Sequence, residues 1–278
     1  MKIVFNWFIL LFAFIQGMLE WLPVSSEGQT VSLLVYLTGL DPQVALEISL
    51  WLHLGTLIAV LVKYRKEIFQ YLNYKNREES VVQWRWFIVY STLGTVITGV
   101  PCFFLVRYYI TSPNVGEYIM LVIGVALLVT AFLLYYSGKQ KRIGKQIEEL
   151  SKIQMTSSGL LQGFSIIPGI SRSGITMSGL LLMSTSKEET VKGSFLMSIP
   201  AVLGGFILNL IAIAIEGGNF FPIEWWQLLI AVAVTAVIGY LTMELFILIA
   251  RKFNFAIICL VLGIITIILF SLKFIQTT

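Results

Sequence analysis

Long apolar runs recur along this chain at the length that a membrane-spanning helix needs. Each holds about 20 residues or more and can cross a hydrocarbon core of about 30 Å. They cover residues 44–62, 86–106, 117–137, 193–215, 225–249 and 254–275. The pattern predicts six full transmembrane helices.

Two further apolar regions, 3–40 and 155–185, are interrupted near their middles. The stretch "EWLPVSSEGQT" breaks the first region, and "IPGISRSG" breaks the second. Non-helical backbone at membrane depth is tolerated only where it is buried in protein or lines a wet cavity. Each region therefore predicts a re-entrant helix hairpin beside a polar pocket.

Composition supports an all-α polytopic membrane protein and excludes a soluble domain. Hydrophobic residues make up 57% of the 278 residues, charged residues only 12%, and the mean hydropathy is +0.87. The net charge of +4 does not predict a nucleic-acid partner, because Lys and Arg cluster in particular loops. Cys102 and Cys259 each lie alone in an apolar run, so we expect neither a disulfide nor a metal cluster from them.

The loop charges also predict the orientation of the chain. Basic residues in 63–85, 139–152, 187–192 and 251–252 place these loops in the cytoplasm, whereas 108–116 and 216–224 contain no Lys or Arg. The second interrupted region then begins and ends on the cytoplasmic side and must turn back within the membrane. Both termini are predicted to lie outside, with Lys2 and Lys273 as weak contrary signals.

A shift of 146 positions relates the two interrupted regions. It aligns Gln16-Gly17 with Gln162-Gly163, Ser25 with Ser171, Gly28 with Gly174, and Thr30 with Thr176. Three full spans follow each hairpin, and this odd number inserts the second hairpin from the opposite face. The sequence thus predicts one membrane domain, 1–278, built as an inverted repeat. Repeat 1 covers about 1–137, repeat 2 about 153–278, and a cytoplasmic linker about 138–152.

The second hairpin has the features of a phosphate site. Free N–H groups at a helix start, together with the hydroxyls of Ser171 and Ser173, suit an anion, and Arg172 offers a planar fork for phosphate oxygens. An arginine at membrane depth also calls for an anionic partner. The alternative is that Arg172 pairs with Glu20 or Glu27 only to hold the hairpins together.

In the first hairpin, Gln16 and Glu20 lie four residues apart and therefore on one helical face. Glu20 could ligate a divalent cation that bridges phosphate oxygens, or act as a general base toward water or a serine hydroxyl. A buried acid bonded to the other hairpin is the alternative. Glu27 fits the first turn of the second half-helix. His53, the only histidine, is expected to join two helices by a hydrogen bond, with a role in the site as the alternative.

The stretches "QGMLEWLPVSSEG", "LHLGTLIAV" and "PGISRSGIT" resemble the signature regions of the undecaprenyl-diphosphate phosphatase family, also known for bacitracin resistance. The resemblance covers the whole chain. It implies a multi-pass enzyme of the cell membrane that removes the terminal phosphate of a polyprenyl diphosphate lipid and so recycles the carrier of envelope polymers.

The resemblance also assigns roles to residues. Glu20, Ser26 and Arg172 would be catalytic: Glu20 as base or as ligand of Mg²⁺ or Ca²⁺, Ser26 as nucleophile or phosphate contact, and Arg172 as the neutralising charge. Whether Ser26 or a water attacks stays open. The residues expected to contact substrate are Gln16, Ser25, Gln29, Ser171, Ser173 and Thr176.

One position departs from the family pattern. Many members have a catalytic histidine where this chain has Gln29, and an amide cannot take up a proton near neutral pH. A second function therefore stays in view, namely a transporter or scramblase of polyprenyl phosphate lipids that uses the same pocket without hydrolysis. Inverted repeats are typical of transporters.

Overall fold

The computed structural model describes residues 7–110, 118–138, 144–218, 220–249 and 255–277, and these residues are almost entirely helical. The α-helices in this part of the chain are α1 Trp7–Leu19, α2 Ser26–Thr38, α3 Pro42–Lys63, α4 Arg65–Leu72, α5 Glu79–Ile110, α6 Ile119–Gly138, α7 Lys152–Gly163, α8 Arg172–Leu182, α9 Lys187–Glu216, α10 Trp225–Ile249 and α11 Phe255–Thr277. The predicted all-α fold is confirmed.

All six predicted spans coincide with helices. Four of them, α3, α5, α9 and α10, are long and apolar enough to cross a membrane. The other two, α6 and α11, hold 20 and 23 residues, with apolar stretches at Leu121–Ser137 and Ala256–Ser271. At about 1.5 Å per residue, helices of 20 residues reach about 30 Å. The chain is a multi-pass membrane protein.

The outward faces of these helices are apolar. Phe132 on α6 is 66% exposed, and Val237 and Leu241 on α10 are 59% and 63% exposed. Side chains of this kind are stable on a protein surface when that surface meets lipid rather than water.

The two interrupted regions form pairs of short helices. The half-helices α2, α7 and α8 contain 13, 12 and 11 residues, so each is about 16–20 Å long and too short to cross the bilayer. Pro23 and Pro168 lie in the breaks between the paired helices. This geometry matches the predicted re-entrant hairpins.

The first helix of each hairpin packs against a long helix of the other half of the chain. Helix α1 lies against α10, and α7 lies against α5. At Gly17 an added Cβ would come within 2.9 Å of Ile238, and at Gly163 it would collide with Thr98, so both contacts require the absence of a side chain. This reciprocal packing agrees with the repeat, whose boundaries stay a prediction.

Trp21 anchors the break of the first hairpin. Its side chain is fully buried, its Nε1 donates a hydrogen bond of 2.8 Å to the carbonyl of Gly239, and its ring lies edge-on to Phe195 at 5.0 Å between centroids. These contacts join the break to α9 and α10. They fix the position of the neighbouring residue, Glu20.

Candidate active site

The helix starts at the two hairpin breaks are capped by the same kind of hydrogen bond. Ser25 caps α2 by accepting the backbone N–H of Gly28 at 3.2 Å, and Ser171 caps α8 by accepting the N–H of Gly174 at 3.1 Å. Short polar side chains at this position satisfy backbone donors that the helix leaves open. The predicted start of a helix at Ser171 is confirmed, and Ser25 plays the same part in the other half.

The tips of the two hairpins touch. A Cβ on Gly28 would lie 3.2 Å from the Cα of Gly169, and Gly169 has a φ of +97°, which residues with a side chain rarely adopt. The Ser173 hydroxyl donates to the carbonyl of Leu22 at 2.9 Å. The two helix starts are therefore brought to one place, where their free N–H groups favour an anion.

The Glu20 carboxylate lies at the centre of this junction. Its Oε2 accepts hydrogen bonds from Gln16 Nε2 at 2.7 Å and from the Ser26 hydroxyl at 2.6 Å. Its Oε1 accepts a bond of 2.6 Å from Arg172 Nη2. Gln16 and Glu20, predicted to lie on one helical face, are in direct contact. A carboxylate 4% exposed and bonded by three donors is held as the anion in a single orientation.

Arg172 joins the two hairpins through one nitrogen of its guanidinium group and leaves the other two without a hydrogen-bond partner among the described residues. Its Nη2 pairs with Glu20, whereas its Nε and Nη1 are buried without a hydrogen-bond partner among the described residues. A buried guanidinium with unmade bonds costs free energy. The ion pair thus agrees with the alternative of a tie between hairpins, and the two unpaired nitrogens agree with the predicted anion site.

A cavity of 170 Å³ opens at the junction. Its polar end is formed by both hairpin breaks and α3, through Glu20, Ser25, Ser26, Glu27, His53, Ser171, Arg172 and Ser173. Its apolar walls come from α3, α5 and the break between α7 and α8, and include Leu46, Leu50, Phe103, Val106, Ile166 and Ile170. The rest of the lining also contains polar side chains, namely Gln43, Glu47, Thr95, Arg107, Gln162, Ser165 and Asn209. One cavity therefore offers an anion-binding end beside a wall of mixed apolar and polar residues.

Three of the residues predicted to contact substrate do not line this cavity. Gln16 is fully buried behind Glu20. Thr176 turns its hydroxyl to Ser194 at 2.6 Å and to the carbonyl of Arg172 at 2.7 Å. Gln29 is not part of the lining, and its Nε2 atom is buried without a partner in the described parts of the chain. The other predicted site residues come together at the polar end.

His53 makes the predicted hydrogen-bond contact between two helices, here α3 and α1, and its place in the site was the alternative. Its Nε2 lies 3.4 Å from Glu20 Oε2 and 3.3 Å from Gln16 Nε2, and the ring lines the cavity. The signal that could have found it was its status as the only histidine of a membrane chain, inside a span.

The geometry does not fit a metal ion held by Glu20. Both oxygens of Glu20 already accept hydrogen bonds, and the Arg172 guanidinium would repel a second cation there. Across the described ranges, no three His, Cys, Asp or Glu side chains cluster as metal ligands would. Glu27, by contrast, lies in the predicted first turn of α2 and faces the cavity.

Comparison with known proteins places the chain among relatives. Residues 9–265 match the family described as bacitracin resistance protein BacA. A protein of Methanothrix thermoacetophila named undecaprenyl-diphosphatase is 37% identical over 94% of this chain and 96% of its own length. Proteins of the same name from Methanopyrus kandleri and Carboxydothermus hydrogenoformans are 34% and 30% identical, over 92% and 87% of this chain and 93% and 88% of theirs.

The match and the fold agree over nearly the whole length, from the first hairpin to the last span. The matched residues include both breaks and every residue of the polar end of the cavity. The chain belongs to the bacitracin resistance protein BacA family.

Proposed function

We propose that this protein is an integral phosphatase of the cell membrane that hydrolyses undecaprenyl diphosphate, or a closely related polyprenyl diphosphate, to the monophosphate and inorganic phosphate. Such a reaction returns the lipid carrier of envelope polymers to use. One observation carries the proposal: a serine hydroxyl donates to a carboxylate whose other oxygen is paired with a partly unsatisfied arginine. The name borne by the relatives supports it.

The polar head and the hydrocarbon tail of this substrate match different parts of the cavity lining. The diphosphate would occupy the polar end, against the starts of α2 and α8 and the free nitrogens of Arg172. The first isoprene units would lie along the apolar wall, near Leu50, Phe103 and Ile170. Burial of this hydrocarbon favours a lipid diphosphate over a soluble one.

Ser26 has the surroundings of a nucleophile. Its hydroxyl donates to Glu20 at 2.6 Å, so Glu20 can take the proton as the Ser26 oxygen attacks the terminal phosphorus. A bond forms from Ser26 Oγ to phosphorus, the bond to the bridging oxygen breaks, and the polyprenyl monophosphate leaves. Water then attacks the phosphoserine and releases inorganic phosphate. In the rival form of this mechanism, Glu20 deprotonates a water that attacks directly.

Arg172 would stabilise the charge that develops on the phosphoryl oxygens. Its free Nε and Nη1 supply two donors in a fixed plane, and the pair with Glu20 holds that plane in position. We also propose that Mg²⁺ or Ca²⁺ would accompany the diphosphate into the site.

Turnover by the purified protein tests the proposal. Protein in detergent is given undecaprenyl or farnesyl diphosphate with Mg²⁺ or Ca²⁺, and inorganic phosphate is measured. We expect release by the wild type and none above background by Ser26→Ala, while Ser32→Ala, a second serine of α2 outside the cavity lining, keeps full activity. Absence of release by the wild type would refute the phosphatase and favour lipid transport through the same pocket.

The nucleophile is tested by trapping. Rapid quenching followed by mass spectrometry should detect a phosphate on the Ser26 peptide during turnover. If the wild type turns over without that species and Ser26→Ala retains activity, a water attacks instead.

A further inference from the structure

The imidazole of His53 is held in one tautomer by its own helix. Its Nδ1 lies 2.8 Å from the carbonyl oxygen of Ser49, one turn earlier in α3. A carbonyl oxygen only accepts hydrogen bonds, so Nδ1 must carry the hydrogen. In the neutral ring, Nε2 is then left with a lone pair.

That lone pair faces two side chains of the site. Gln16 Nε2 lies 3.3 Å away, and Glu20 Oε2 lies 3.4 Å away. An amide N–H can donate to a lone pair, whereas a carboxylate oxygen cannot. The neutral ring of His53 therefore accepts a hydrogen bond from Gln16.

The same arrangement decides which way the Gln16 amide points. Its second N–H donates to Glu20 Oε2 at 2.7 Å, and its Oε1 accepts the hydroxyl of Thr30 at 3.3 Å. The reversed amide would place Oε1 against the carboxylate and against the lone pair of His53. Every polar atom of Gln16 is thus assigned a partner, and Glu20 and His53 together exclude the other orientation.

We propose that His53 is a positioning residue of this site. Through Gln16 it fixes the Glu20 carboxylate so that Oε2 receives the Ser26 hydroxyl, and it does so as a hydrogen-bond acceptor rather than as a proton carrier. This inference rests on the proposed function. The first motif has Gln29 where many family members have a histidine. The imidazole beside the Glu20 carboxylate comes from His53 on α3 instead.

Three variants separate the possible roles of His53. His53→Gln can present a carbonyl oxygen as acceptor to Gln16, and His53→Leu removes every polar atom. Thr56→Val is a control on the same helix, since its hydroxyl bonds only the carbonyl of His53 among the described residues. We expect kcat within about threefold of wild type for His53→Gln and Thr56→Val, and a loss of about tenfold or more for His53→Leu with KM nearly unchanged.

Two results would overturn the proposal. Full activity of His53→Leu would show that the side chain of His53 only fills space in the core. Loss of activity in His53→Gln equal to that in His53→Leu, together with loss of the acid limb of the pH–kcat profile, would make the imidazole a proton carrier. Profiles of the same shape in wild type and His53→Gln support the positioning role.

A spectroscopic readout separates this inference from the enzymatic activity itself. His53 is the only histidine, so ¹⁵N NMR of tag-free, histidine-labelled protein in detergent reports one ring. We expect the neutral tautomer with hydrogen on Nδ1, and a shift of the Nε2 signal in Gln16→Leu. A ring with hydrogen on Nε2, or an Nε2 signal indifferent to Gln16→Leu, would overturn the network even in an active enzyme. Absence of turnover with the expected signals would instead count against the proposed phosphatase.

Discussion

Ser25 and Ser171 make the same hydrogen bond in the two halves of the chain. Each hydroxyl caps a short helix and accepts the N–H of a glycine three residues further on, at 3.2 and 3.1 Å. Both serines then lie at the polar end of one cavity. This correspondence agrees with the predicted repeat, because each half of the chain builds one helix start at the same cavity.

The predicted inverted repeat implies where single cysteines react. In a background without Cys102 and Cys259, Asp41→Cys should react with an impermeant thiol reagent from outside intact cells, because the loop charges predict that α3, which begins at Pro42, starts on the outer side. Gln154→Cys, at the start of α7, should react only after the membrane is permeabilised. Labelling of both positions from the same face would refute the inverted repeat.

The charged pair of the site should be intolerant of conservative change. Arg172→Lys keeps the charge but loses the planar fork, and Glu20→Gln keeps the shape but loses the base. We expect each to lower kcat by more than about 100-fold, equal to about 2.7 kcal/mol of transition-state stabilisation, without loss of yield or monodispersity. Near-normal turnover in either variant would show that the substituted residue only joins the two hairpins and takes no part in the reaction.

Substitution of the two glutamines of the first hairpin should lower kcat to different extents. Gln16→Ala removes a bond of 2.7 Å to Glu20, and we expect kcat to fall by about tenfold. Gln29→Ala removes an amide whose Nε2 is buried without a partner in the described structure, so kcat should stay within about threefold. A larger loss in Gln29→Ala than in Gln16→Ala would show that Gln29 contacts the phosphate during the reaction.

We expect binding of a divalent cation to depend on the Glu27 carboxylate more than on the Glu20 carboxylate. Glu27→Gln should raise the Mg²⁺ concentration for half-maximal activity by about tenfold, because one carboxylate beside substrate phosphates is a common way to hold Mg²⁺. Glu20→Gln should lower turnover at every Mg²⁺ concentration. Glu47→Gln serves as the control, since Glu47 lines the same cavity about 9 Å along α3 from His53. Equal Mg²⁺ dependence in wild type and Glu27→Gln contradicts this prediction.

The sequence by itself determined the elements. The six spans, the two breaks and the cap at Ser171 follow from hydropathy over about 20 residues and from the chemistry of a helix start, which are local properties. The direct bond of Gln16 to Glu20 follows from the spacing of one helical turn. The phosphate-binding character of the second hairpin was predicted from adjacent residues in the same way, and it stays a prediction.

Only the tertiary structure decided which side chains share the site. The rotation of α3 against the first hairpin turns His53 toward Glu20, and the rotation of α8 turns Thr176 to Ser194 and away from the cavity. Gln29 lies outside the cavity lining for the same kind of reason. A motif gives the order of residues, but the face that each helix presents is set by close packing between elements distant in the chain, such as Gly17 on Ile238.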